Sequence, residues 1–437
     1  MMRRLALLSV LFASAALAEE WQWQDALVPE PGFDLDAAQV FRVTSLAADG
    51  KGTLREALRK KGPRIVVFEI GGVIDLRMKS LQIEAPQVFV AGQSAPAPGI
   101  TLIRGGLTIK ADQAVVQHLR VRPGDAGRPR KSGWQPDGIT TAGAPAGVWI
   151  DHCSVTWAVD ENISASTSQS PAGEPAGRIF IRDCLIAEGL RNATHEKGEH
   201  SKGTLVLDGT REVAIVGNLY ASNTERNPVF KLNTSGVVVN NVIANPGQRA
   251  IHASVPDAES AGLPRARLAV VGNIVLLGEK TKKTAAIFEG VADGFFKDNE
   301  GYNWLGEPVP ELRQPFPTLA EPPLWPAGLK ARSPAAALWH VARFAGARPA
   351  ERDAIDTRIV REVLTGAGRI IDSQDEVGGY PKIDPVQRPL EVPDKNRRAW
   401  LEQLAREVIF GPARISSPKP QARVSPPLAP FIGSRCV

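Results

Sequence analysis

The feature that most constrains this chain is a short apolar run that keeps returning and ends each time on a similar polar residue. The runs read VFVAGQ near Gly92, VVQHLRV around His118, VWIDHCSV around His152 and IFIRDCLI around Asp183, then AIVGNLY around Asn218, VVVNNVIA around Asn241 and LAVVGNIV around Asn273. Successive anchors are 26, 34, 31, 35, 23 and 32 residues apart. A repeat of this size predicts a solenoid, because one unit cannot bury its own apolar face and must stack on the next. Runs this short and this rich in Val and Ile fit strands, not helices. The 23-residue gap is about one bare coil, and the longer gaps carry loops on one side. This reading puts the His, Asp and Asn anchors at one repeated position, where their side chains stack hydrogen bonds along the axis. His118 and His152 are then expected as satisfied, inward-facing histidines, and Cys153 and Cys184 as a stacked, buried thiol pair.

The ends have a different texture. Arg3 and Arg4, the apolar run Leu5 to Leu17 and the small residues before Glu19 predict a signal peptide over residues 1–18, hence an exported protein with no membrane anchor. Thr53 followed by Glu56 predicts a capped short helix through Leu58, covering the open end of a β-helix domain over residues 19–305. Prolines crowd residues 308–326, and helical stretches follow near 335–345 and 356–364. Residues 306–437 therefore read as a Pro-rich extension wrapped on the coil.

Without Arg3 and Arg4 there are 50 basic against 47 acidic residues, too mild a surplus to argue for nucleic acid, and no basic block interleaves with aromatics. A polyanion is compatible with it if the positive charges gather in one groove. Three cysteines without a CxxC pair make neither a disulfide framework nor a zinc site.

Chemistry concentrates in four stretches: Gln135-Pro136-Asp137-Gly138-Ile139, Val159-Asp160-Glu161-Asn162, His195 to Gly203 including Lys202, and Glu225-Arg226-Asn227-Pro228 with Lys231. Equivalent positions on neighbouring coils lie only about 5 Å apart, so these stretches can meet. Asp137, Asp160 and Glu161 supply the clustered carboxylates that a hard divalent cation needs.

These residues carry a resemblance. VWIDHCSV resembles the vWiDH signature of the pectate lyases, polysaccharide lyase family 1, and Arg226-x-Pro228-x-x-Lys231 resembles their RxPxxR motif. Asp137-Gly138-Ile139 stands where that family has an Asp-x-Ile calcium strand, and the motifs follow in the family's order. The likeness spans residues 41–275, and residues 368–381 resemble the C-terminal extension of a bacterial branch. It implies an all-β, right-handed single-stranded parallel β-helix. It implies, too, β-elimination on pectate or polygalacturonate by a monomer. Ca²⁺ would be held by Asp137, Asp160 and Glu161, Arg226 would be the base, and Lys202 and Lys231 would bind the saccharide. A base arginine would need neighbouring cations, Lys202 among them, to disfavour its charged form. Lys231 replaces the family's second arginine, and Gln135 stands where some members have another aspartate. A non-catalytic carbohydrate-binding β-helix and a polygalacturonase-like hydrolase are the alternatives. The second would need paired acid and base carboxylates, and its Gly-His-Gly pattern is missing from the sequence.

Overall fold

The computed structural model describes residues 26–166, 177–255 and 262–412. The expected signal peptide, Cys436 and most of the proline-rich end lie outside those residues. Almost every strand pairs in parallel with the strand three places later in the chain, so each coil contributes one strand to each of three sheets. Sheet I runs through ten strands from Gln39–Val43 to Ala292–Lys297, and sheet II through eight from Leu81–Ile83 to Phe288–Glu289. Sheet III runs from Ile70–Asp75 to Glu300–Tyr302, with Val386–Gln387 added antiparallel at one edge. This is a right-handed parallel β-helix, the hand that parallel crossovers take almost without exception. Its interior is one continuous apolar column, including Val66 and Phe68, then Val90, Val116, Ile150, Ile181, Ile215, Val238 and Val270.

From His118 onward the corner between sheets I and III turns through a single left-handed residue on each coil. His118 (φ 58°), His152 (46°), Asp183 (48°), Asn240 (55°) and Asp298 (52°) occupy it, with Gly217 and Gly272 on the intervening coils. These are the residue types that tolerate this backbone region at least cost, which is why the repeats end on them. The single stacked position expected from the sequence is in fact two adjacent ones. Asn218, Asn241 and Asn273 sit one residue past the corner and form their own ladder, each amide oxygen accepting the backbone N–H of the coil before it at 2.9 Å. Cys153 and Cys184 continue that ladder as buried free thiols, with the Cys153 N–H directed at the Cys184 sulfur, 3.4 Å away. His118 and His152 stack at 5.1 Å but do not face inward. The backbone turn aims them out of the coil, where the His118 Nδ1 lies 2.7 Å from the Ala347 carbonyl oxygen.

Helix α1 (Leu54–Arg59) caps the N-terminal end, burying Leu54, Ala57 and Leu58 on the column. Thr53 accepts from the Glu56 N–H, while the Glu56 carboxylate reaches back to the Gly52 N–H rather than to Thr53. Beyond residue 306 the chain lies along the outside. Helices α2 (Pro334–Phe344) and α3 (Ala354–Thr365) cover the outer face of sheet III through Leu338, Val341, Ile359 and Val363. A third helix, α4 (Arg397–Phe410), packs Leu401 against Ile65 and Phe89 of sheet I and is not evident from the sequence pattern.

Candidate active site

The outer face of sheet II carries the charge. Ile139 pairs with Ile163, Glu161 with Lys202 and Lys202 with Glu225, so residues from distant stretches form one row at the entry of successive strands. Asp137 enters that row just before its strand. Its carboxylate accepts from the Glu161 N–H at 3.1 Å and the Ser164 hydroxyl at 3.0 Å. Only glycine fits at 138, because a Cβ there would collide with the Asn162 carbonyl oxygen. Asp160 is placed from behind by Trp157, Val159 and Leu190 packed on Ile371, so the C-terminal extension buttresses the loop that presents it. His200 Nε2 lies 3.0 Å from one Asp160 oxygen and His195 Nε2 3.7 Å from the other.

Asp137, Asp160 and Glu161 each offer an oxygen, all within 4.8 Å of one another. Burial, then the charge of Asp160, pushes Asp137 up to about 7. Asp160 is held below the usual carboxylate range: burial works against this, and the hydrogen bond and charge of His200 outweigh it. Three clustered oxygens, one held back from ionising by burial and its neighbour's charge, fit a hard divalent cation. Arg226 sits in the left-handed region (φ 62°), and its guanidinium closes directly on the buried carboxylate of Glu161.

Of the residues singled out from the sequence, Asp137, Asp160, Glu161 and Arg226 thus meet around one point. Lys202 is in the adjacent row, but its ammonium is held 2.5 Å from Glu225. The expectation that Lys202 would weaken the charged form of Arg226 is therefore corrected. The Arg226 pKa is lowered by burial, while Asp160 and Asp137 work in the opposite direction. Lys231 projects onto the same face as Val229, two residues along the alternating strand direction, and lines a groove of about 730 Å³ beside Arg226. Among the described residues its ammonium has no ion-pair partner. Glu225 shares that groove with Arg249, His252, Glu289 and Arg313, which sequence reasoning passed over. The signal was available only for Glu225, as the neighbour of Arg226. His252 is kept neutral, its pKa pushed down to about 3 by burial.

No family model matches the chain. A curated protein of Neosartorya fischeri named probable pectate lyase C is 32% identical over 393 residues, covering 83% of this chain and 84% of that protein. The protein of the same name from Aspergillus flavus is 30% identical over 375 residues, covering 81% and 80%. Among solved structures, the pectate lyase of Bacillus sp. N165 in complex with trigalacturonate superposes with a TM-score of 0.48 at 13% identity, over 75% of this chain and 98% of that one. The major cedar pollen allergen jun a 1 gives 0.47 at 15% identity, over 70% and 88%. On the identity and coverage of its curated relatives, this chain belongs to the pectate lyase family.

Proposed function

We propose that the protein is a carbon–oxygen lyase that cleaves an acidic polysaccharide of the polygalacturonate type by β-elimination, as an exported monomer. One observation carries the reading: a partly buried arginine meets a three-carboxylate cluster and also lines a basic-edged groove. Elimination removes the proton from the carbon beside a uronate carboxylate. The electron pair left behind forms a double bond as the neighbouring bond to the glycosidic oxygen breaks, and that oxygen leaves with a proton. The carbon acid is weak, so the barrier falls when the charge gathering on the carboxylate is neutralised.

Asp137, Asp160 and Glu161 would hold Ca²⁺, which supplies that neutralisation when bound. Arg226 is assigned the proton abstraction. A guanidinium is ordinarily protonated far above neutral pH, and burial is what works in this chain's favour. The Glu161 carboxylate closes on the Arg226 guanidinium, so abstraction requires Glu161 to turn away from it. Lys202 and Lys231 supply cations to saccharide carboxylates, Lys202 once released from Glu225. No helix among the described residues is long and apolar enough to cross a membrane.

The test is ultraviolet absorbance of unsaturated products released from polygalacturonate, with and without a chelator. The expected result is a calcium-dependent rise in absorbance. Reducing ends formed without a double bond would replace the lyase with a hydrolase, and binding without products would leave a carbohydrate-binding protein.

A further inference from the structure

Charge continues past Arg226 along the groove in strict alternation. Glu225 lies 2.5 Å from Lys202 and 3.8 Å from Arg249, and Glu289 lies 3.7 Å from Arg249 and 2.5 Å from Arg313. The members come from successive coils, since Val229 pairs with His252, His252 with Glu289, and Phe288 with Leu312. Arg313 is not part of the regular coil. It belongs to the proline-rich chain that follows the last sheet III strand and is pinned when its N–H donates to the Phe288 carbonyl at 3.0 Å.

The two signs sit at different depths. The Glu289 side chain is 5% exposed, whereas Arg249 and Arg313 are 43% and 32% exposed. A buried carboxylate thus holds one edge of each guanidinium from below and leaves the rest toward the groove. Glu289 is also incompletely satisfied: its Oε1 is buried with no hydrogen-bond partner. That oxygen is closed to solvent and so to a ligand, and the cost of leaving it unpaired is borne within the fold. A guanidinium held on one edge, with donors left toward the groove, is the complement of a sugar-ring carboxylate.

We propose that Arg313, positioned by Glu289, forms a distal subsite that binds a uronate carboxylate and so makes the enzyme read substrate length. Three coil spacings separate it from Arg226, roughly 14 Å at ~4.8 Å per strand. A chain seated at Arg226 must extend well beyond one ring to reach it. This rests on the acidic-polysaccharide reading above, and its failure is separable from the failure of that reading.

The experiment compares trigalacturonate with hexagalacturonate for the wild type, Arg313→Gln and Arg313→Lys. Arg313→Gln should raise KM for the hexamer about tenfold with kcat nearly constant, and the loss on the trimer should be several-fold smaller. Arg313→Lys should recover part of the hexamer loss, as a charge without the fork. Glu289→Gln should shift KM in the same direction as Arg313→Gln. In an Arg226→Ala background, calorimetric affinity for the hexamer should fall by the same factor when Arg313 is changed, a readout that does not need turnover. Equal losses on both oligomers, or unchanged hexamer affinity, would overturn the subsite. A wild type that binds the hexamer through Arg313 but releases no unsaturated product would overturn the lyase reading alone.

Discussion

Two faces of this molecule set arginine against carboxylate, and they do it differently. On the outside of sheet III, Arg122 reaches Asp353 and Asp356 at 2.7 Å each, and Arg120 lies 3.4 and 3.5 Å from the same pair. The Ser154 hydroxyl donates to Asp356 at 2.6 Å, and the Arg122 guanidinium lies 5.6 Å from the Trp157 ring centre. Two cations face two anions there, sealed by α3. On sheet II three carboxylates, one of them met by His195 and His200, face one arginine. A closed network of matched charge fixes one element on another. An open and unbalanced one holds free energy in reserve for a ligand, which is why perturbed groups of this kind mark functional sites.

The comparison breaks most sharply at Arg226. Arg226→Ala should lower kcat by about 10²–10⁴-fold, the usual worth of a proton-transferring group, while the melting temperature stays close to that of the wild type. A variant with full activity would remove Arg226 from the chemistry. The reverse pattern belongs to the sealed face. Asp356 is completely buried, and Asp356→Ala leaves two buried arginines to share Asp353 alone, so it should destabilise by about 3–5 kcal/mol in denaturant unfolding with kcat of the folded enzyme little changed. If that substitution proved neutral, α3 would be resting on the coil rather than clamping it.

Smaller effects separate the faces further. Asp137→Asn should weaken Ca²⁺ binding by about tenfold or more, at least what outer-sphere partners of a metal are worth, as read by calorimetry. Unchanged affinity would move the cation elsewhere. On the clamped side, pH is the probe. His118 is pushed down to about 3 by burial first and then by the charge of His152, with Asp151 and the Ala347 carbonyl opposing and Arg348 adding to the fall. A base with a depressed folded pKa binds fewer protons than the unfolded chain between about 3 and 6.5. The stability it contributes is therefore present above 6.5 and is lost as pH falls toward 3. At pH 5 the loss should be about 2 kcal/mol, at ~1.4 kcal/mol per pH unit. His118→Asn should flatten the acid limb of the stability profile, and an unaltered limb would assign the acid sensitivity to other groups.

Much of this was legible because a solenoid writes its geometry into spacing. The anchors from His118 to Asn273 gave the coil, and the order of Asp137, Asp160, Arg226 and Lys231 gave one face. What stayed hidden depends on contacts across hundreds of residues. The two-rung corner was invisible, since whether Asn240 or its neighbour Asn241 takes the left-handed turn is decided by pairing with other coils. Helix α4 lacks a side-chain cap of its own. Asp36 accepts from the Asn396 and Arg397 N–H groups instead, from the other end of the chain. Arg249, Glu289 and Arg313 match no local motif, and only the stacking of coils gathers them.

The smallest expected effect is the most discriminating for the open face. Lys231 shows its ammonium to the groove among alternating ion pairs, yet no carboxylate of the described residues answers it. A point charge on a flexible stem attracts a uronate without fixing its plane, whereas a guanidinium offers two parallel donors. Lys231→Arg should therefore lower KM for polygalacturonate by about two- to threefold, the scale of one improved charged contact at a partly exposed site, and leave kcat where it was. The same substitution on a methyl-esterified chain should do nothing, because the carboxylate that would accept the fork is gone. A fall in kcat instead would mean that the shorter, single-headed cation is needed next to Arg226, and that the lysine is an adaptation of the reacting site rather than a weaker grip on the chain.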